Sequence, residues 1–376
     1  MTKTNSYISL KKVFCLIIYI LLFATGTNAQ KNAHNMENKL SALIDSFYVN
    51  DTLPGVVAGV WTPDFTYKYA VGKADLVTGA ERLFDDKIRI GSITKTFVAT
   101  VILQLVDEGK LNLDDRLDKY YPSYPNSSNI TLRQMLDMSS GMPDYIENPR
   151  VLKSFIFDRN DKYTPQELFD ITASMQPSFE PGKGWQYSNG NYNILGMLIE
   201  KITGNPLHIE IDNRIIKPLG LNNTVFPLTS QMDGQYSHGY MKDTLTREFI
   251  DVTVMDPSIG WAAGNMISNF DDLKIYAKAL AEGTLISRSS QEQRLMFLDI
   301  GASKSVKYGL GILSMEGFIG HNGGITGYNT TMCYNPELKA LIIISVNEYG
   351  LEGGASDKIF AALAKAVYPE RNFFGN

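Results

Sequence analysis

Cysteine is almost missing from this chain of 376 residues, which has only Cys15 and Cys333. Cys15 falls in a leader-like segment, so the remainder carries a single thiol and no intramolecular disulfide. Histidine is nearly as scarce. His34, His208, His238 and His321 include no pair at metal-ligand spacing, and neither a metal nor any other cofactor is expected. No charge of one sign dominates, with 35 Lys and Arg against 40 Asp and Glu. A chain without a basic face is not expected to bind nucleic acid. Internal repeats, low-complexity linkers and a phosphate-cradling P-loop are absent. Gly-x-Ser-x-Gly is absent too, which excludes the nucleophile elbow of one large hydrolase class.

Long apolar runs are also lacking. The longest near the N-terminus, Val13 to Ala24, is well short of the ~20 residues of a spanning helix. It follows Lys11 and Lys12 and precedes Thr25-Gly26-Thr27-Asn28-Ala29, where small residues suit cleavage after Ala29. Residues 1–29 therefore read as a secretory signal peptide, and the mature protein as exported, periplasmic or secreted. An uncleaved membrane anchor is the competing reading. Lipid attachment at Cys15 is disfavoured because the apolar stretch follows that residue. No membrane contact beyond the signal peptide is expected. The mature chain, held by its core alone, is large enough for that.

Periodicity sketches the fold. Leu40, Leu43, Ile44 and Phe47 recur at helical spacing over residues 36–49. Val56 to Trp61 and Tyr67 to Val71 read as a hairpin turning at Pro63-Asp64. From Ser92 a helix runs with almost no polar face through Phe97, Val101, Ile102 and Leu105 to Gly109, which marks it as buried and central. Thr131-Leu132-Arg133-Gln134 and Thr164-Pro165-Gln166-Glu167 are capping boxes. Further helices are expected from Asn191 to Ile202, after Asn269, and from Ala355 to Val367. Gly309 to Met315, Gly327 to Tyr334 and Ala340 to Val346 read as strands, with a turn at Asn335-Pro336-Glu337. Strands joined by tight turns imply an antiparallel sheet. The expected fold class is α+β, an antiparallel sheet flanked by helices with an inserted all-helical subdomain. Residues 30–115 and 255–376 would form the sheet subdomain and 116–254 the helical one, with a cleft between them.

Chemistry concentrates in three places. Ser92-Ile93-Thr94-Lys95 places a hydroxyl and an amine three residues apart on one helical face. A serine hydroxyl needs a partner to take its proton, and a lysine can do so only when neutral, a form that burial favours. Tyr187-Ser188-Asn189 offers a phenol that can act as base or acid, and an amide that can bridge Lys95 or hold a substrate amide. His321-Asn322-Gly323-Gly324 lets a strand edge approach a ligand. The N–H groups of Ser92 and Gly324 could then form an oxyanion hole. Singly, each is weak. Ser9-Leu10-Lys11-Lys12 and Tyr124-Pro125-Asn126 match the first two by chance, and an N-capping Ser, a polar loop and a turn would explain the same residues.

Together and in this order they resemble the serine β-lactamase and penicillin-binding family, nearest to its D-alanyl-D-alanine carboxypeptidases, class C β-lactamases and related esterases. The surrounding sequence is similar as well. It includes Arg89 to Phe97, Leu103 to Leu111, Ile130 to Leu136 with Ser139-Ser140-Gly141-Met142, Gly196 to Gly204, Pro218 to Leu221, Ala263-Gly264 and Tyr308 to Gly311. The resemblance covers residue 40 to the end and implies a β-lactamase/transpeptidase-like fold. By it, Ser92 forms an acyl-enzyme while Lys95 and Tyr187 share the proton transfers. Asn189, His321, Asn322, Gly323 and Gly324 bind a small peptide, ester or lactam.

Two departures bear on the substrate. Asn322 stands where carboxypeptidases and β-lactamases usually carry a hydroxyl residue that helps bind a carboxylate. Gly309 to Gly320 also lacks an arginine that some carboxypeptidases carry. A D-alanyl-D-alanine carboxypeptidase acting on cell-wall-type peptides is the leading expectation. An esterase or amidase on small acyl compounds, a class C-like β-lactamase, and a non-catalytic binding protein on the same scaffold are its rivals. Trp261 is placed either near the cleft or in the core.

Overall fold

The computed structural model describes residues 33–243, 245–301, 305–350, 353–371 and 373–374. The signal-peptide segment lies outside them. Helix α1 spans 33–50. It leads into the expected hairpin, strands β1 (Gly55–Trp61) and β2 (Thr66–Gly72). The chain then crosses to α2 (Thr94–Asp107), enters a helical stretch that includes α3 (Asn189–Thr203), and returns through α4 (Phe270–Glu282). Six strands follow: β3 (Leu298–Asp299), β4 (Val306–Tyr308), β5 (Leu313–Met315), β6 (Phe318–Ile325), β7 (Tyr328–Asn335) and β8 (Ala340–Val346). Helix α5 (Ser356–Val367) closes the fold.

The eight strands form one antiparallel sheet in the order β2-β1-β8-β7-β6-β5-β4-β3. The N-terminal hairpin thus pairs with the last strand, Val56 opposite Val346 and Trp61 opposite Leu341. Both strands are buried along their whole length, so their side chains divide by parity. Val56, Ala58, Val60, Ile342 and Ile344 pack with Leu40 and Ile44 of α1 and with Ile359, Phe360 and Leu363 of α5. Val57, Leu341 and Ile343 face the other way, into a larger core with α2, α3 and α4. That core holds the central helix. Eleven of its fourteen residues are buried, as its lack of a polar face requires.

Local signals hold where their physics is local. Thr131 and Thr164 each complete a capping box, and Asn269 caps α4. The expected strand Gly309 to Met315 is shorter. Gly309 donates its N–H to Ile312 O at 2.8 Å, forming a turn, and only Leu313–Met315 joins the sheet. Apolar alternation continues across this turn, which is why the sequence reads as strand: Leu310 and Ile312 are buried against α2 instead of paired. Within 116–254 the regular elements are helices apart from a ribbon of Tyr240–Lys242 with Phe249–Asp251, and loops join them. That ribbon bonds to the end of the sheet through Tyr240 N to Asn347 O, 3.0 Å. Among the described residues no helix is long and apolar enough to cross a membrane.

Helix α2 is fixed by stacking. The Phe97 ring lies 3.8 Å from that of Tyr276 on α4, nearly parallel, and is fully buried. Phe97→Ala would remove that stack and leave a cavity, at a cost of about 3–5 kcal/mol. Chemical denaturation should show a lower midpoint with an unchanged slope. Thr164→Ala, which removes only a cap, should cost about 1 kcal/mol in the same experiment.

Candidate active site

The nucleophile sits where two backbones nearly touch. Ser92 lies in a tight 3-10 turn, Gly91–Ile93, just ahead of α2, so it precedes the α-helix proper instead of opening it. Gly91 has φ +51, and a Cβ there would come within 2.9 Å of Gly324 N. Across the gap, a Cβ on Gly323 would lie 1.9 Å from Ile90 O and 3.2 Å from Ser92 N. Only glycines permit this approach of β6 to the nucleophile turn. It brings the Gly323-Gly324 backbone against the Ser92 turn, the neighbourhood an oxyanion hole built from the N–H groups of Ser92 and Gly324 would need. Beyond Gly320 the β5 side of β6 is unpaired, which leaves Asn322 and Gly324 to line the cleft.

Lys95 lies beneath Ser92, fully buried. Its Nζ is 3.0 Å from Ser92 Oγ, 2.7 Å from Asn189 Oδ1 and 2.7 Å from Ala263 O. Burial pulls its ammonium down to about 7, opposed by the charge of Asp144. Two of its partners are amide oxygens that can only accept. A neutral amine has two N–H bonds and one lone pair, so those oxygens hold the N–H bonds and the lone pair is left for the Ser92 hydroxyl. The ring of Tyr187 lies over the same nitrogen, 4.7 Å from its centroid.

Asn189 is placed by the start of α3. Ser188 is extended, and its hydroxyl donates to Pro143 O at 2.9 Å, stitching the two loops together. The Asn189 amide nitrogen donates to both carboxylate oxygens of Asp144, at 2.9 and 3.1 Å. Asn189 therefore bridges Lys95 and Asp144 as well as lining the cleft. The sequence reading missed Asp144, although it directly follows the Ser139 to Met142 segment and Pro143. Burial raises its pKa, while the Ile146 N–H, Asn189 and Lys95 pull the other way.

The Tyr187 hydroxyl is buried without a hydrogen bond of regular geometry, although Ser92 lies close enough to act on its ionisation. Burial holds this phenol well above its ordinary value, with Ser92 opposing. Tyr187 therefore keeps its proton at neutral pH, and Lys95 is the group of the two that can accept one there. His321 is buried, and burial pulls it down to about 3. Its Nδ1 bonds to its neighbour's carbonyl, Asn322 O, and its Nε2 is 3.1 Å from the Tyr308 hydroxyl. A neutral imidazole supplies no positive charge for a carboxylate.

These residues open on a cleft of about 560 Å³. Trp185, Tyr308 and Tyr349 add aromatic walls, and the Trp185 indole N–H is buried there without a partner. Trp261 does not line the cleft. Its ring packs within 2.9 Å of where a Gly196 Cβ would stand. Asn322, expected to contact substrate, lines the cleft and donates to Asp357 Oδ2 at 2.6 Å. Among the described residues no group of His, Cys, Asp and Glu could hold a metal ion.

A nucleophilic serine on a buried lysine, a phenol above them and a strand edge opposite define serine hydrolases of the β-lactamase fold. The family model "Beta-lactamase" matches residues 40–366, and the chain belongs to that family. Penicillin-binding protein 4* of Bacillus subtilis (strain 168) is 26% identical over 85% of this chain and 73% of its own. A D-stereospecific amidohydrolase from Streptomyces sp. is 34% identical, covering 86% of this chain and 97% of its own with a TM-score of 0.78. D-amino acid amidase from Ochrobactrum anthropi SV3, solved with D-phenylalanine, is 25% identical, covering 90% and 100% with a TM-score of 0.80. The chain spans from about half to about three quarters of the curated relatives it matches.

If Lys95 is the base, acylation rises with pH as it deprotonates, with a midpoint of about 7. Asp144→Asn keeps an acceptor for Asn189 but removes the charge that raises Lys95. The ascending limb of the kcat/KM profile should then move to lower pH. A limb that stays in place would assign it to another group.

Proposed function

We propose that this protein is an exported serine amidohydrolase that acts on D-amino acid amides and short D-amino acyl peptides. The neutral arrangement of Lys95 carries the reading, with Ser92 as its one hydrogen-bonding partner among the described residues that can give up a proton. Ser92 Oγ attacks the substrate carbonyl while its proton passes to Lys95 Nζ. The oxyanion lies against the Ser92 and Gly324 N–H groups. As the C–N bond breaks, Tyr187 donates a proton to the departing nitrogen and recovers one from Lys95. Water, deprotonated by the same Lys95, then attacks the ester, and Ser92 regains its proton.

Several features support amides over carboxylate-bearing peptides. His321 is neutral, and no lysine or arginine lines the cleft among the described residues. Two structural relatives, an amidohydrolase and an amidase, point the same way. The pattern of residues 1–29 supports export. A second reading, a D-alanyl-D-alanine carboxypeptidase of cell-wall-type peptides, is favoured by the curated relative named a penicillin-binding protein.

With the chain beginning at Gln30, ammonia release from D-phenylalanine amide should exceed that from the L-amide. Ser92→Ala should lower it by roughly 10³-fold or more. Intact-mass analysis of quenched enzyme should show the acyl adduct on the wild type alone. Ser92-dependent release of D-alanine from an acyl-D-Ala-D-Ala peptide, without amide cleavage, would instead establish the second reading.

A further inference from the structure

Asp357 is the one charged side chain among the described residues lining the cleft. It lies in the first turn of α5, where the helix dipole favours negative charge. Its orientation is built. Oδ2 accepts from Asn322 Nδ2 at 2.6 Å, and Oδ1 accepts from Thr331 Oγ1 at 2.5 Å. Both donors are neutral, and no lysine, arginine or histidine among the described residues pairs with this carboxylate. Each oxygen keeps acceptor capacity after these bonds. Gly353 and Gly354 flank it in the cleft wall and carry no side chain to cover it.

We infer that Asp357 sets the charge specificity of the site, admitting substrates with an ammonium group and rejecting those with a carboxylate. This rests on the proposed amidohydrolase reading and deepens it. A substrate carboxylate entering this end of the cleft would meet a fixed like charge, with Asn322 already bonded to Asp357 and no cation among the described lining residues. A free amino group would find an oriented carboxylate whose existing partners leave its charge uncompensated. Asn322 is then a positioning residue: it aims the carboxylate and does not bind the substrate itself. Unlike charges across a partly dry cleft attract more strongly than at an open surface, so one carboxylate suffices to bias selection.

The test compares three probes: D-phenylalanine amide as the cation, N-acetyl-D-phenylalanine amide as the neutral standard, and N-acetyl-D-Ala-D-Ala as the anion. Wild-type kcat/KM should fall in that order. Asp357→Asn should lower the cation-to-neutral ratio and raise the anion-to-neutral ratio, each by roughly tenfold, as fits a partly screened charge pair. Asp357→Glu, which keeps the charge, should preserve the order. Added salt should compress the wild-type ratios, a readout independent of how any variant folds. Equal scaling of all three probes by Asp357→Asn, or salt-independent wild-type ratios, would overturn the inference. If the enzyme cleaves a nitrophenyl ester through Ser92 but none of the D-amino acyl amides, the substrate reading fails by itself. The same variants and nitrophenyl esters of a cationic, a neutral and an anionic acid would then decide the role of Asp357.

Discussion

The amine of Lys95 is enclosed by protein on all sides, and its nearest partners are a hydroxyl and two amide oxygens. Removing an ammonium from water without a direct counter-ion is costly, and the group answers by giving up its proton more readily. The rest of the site follows from this constraint. The amine must be buried, so α2 must be apolar nearly all round. The helix must be fixed against the sheet, which the Phe97–Tyr276 stack and the parity-divided strands accomplish. The charge of Asp144, held in place by Asn189, keeps the pKa from falling further. The base is thereby poised near neutrality.

The other groups take complementary roles. Burial leaves Tyr187 a phenol and His321 a neutral imidazole, so in the proposed mechanism proton donation and proton acceptance fall to different side chains around one serine. Groups whose environments push them apart in this way divide acid and base work at a single pH. Toward the far wall the described lining residues supply a carboxylate and no lysine or arginine. The polarity of that wall is opposite to what binding a substrate carboxylate there would need.

Much of this was legible in the sequence where the determinants are local. The capping boxes, the apolar central helix, the closing strand Ala340–Val346 and the Ser92–Lys95 spacing are short-range properties of the chain. The pairing of Ser92 with Gly324 was expected from the sequence, and its steric reason emerges only in three dimensions. Asp144 and Asp357 were not found. Each is one aspartate among many, and its importance comes from a partner far along the chain, Asn189 for one and Asn322 for the other. The Gly309–Ile312 turn was misread because burial against a helix leaves the same apolar pattern as burial in a sheet.

The central claim is that burial holds the Lys95 amine close to neutrality, and it can be observed without turnover. Lysine labelled with carbon-13 at the ε position gives an NMR signal that shifts as each amine titrates, and Lys95→Met assigns the relevant one. The account predicts a Lys95 midpoint of about 7, far below its ordinary value of 10.5. A Lys95 signal that titrates with the surface lysines would contradict it, and Ser92 would then need another base.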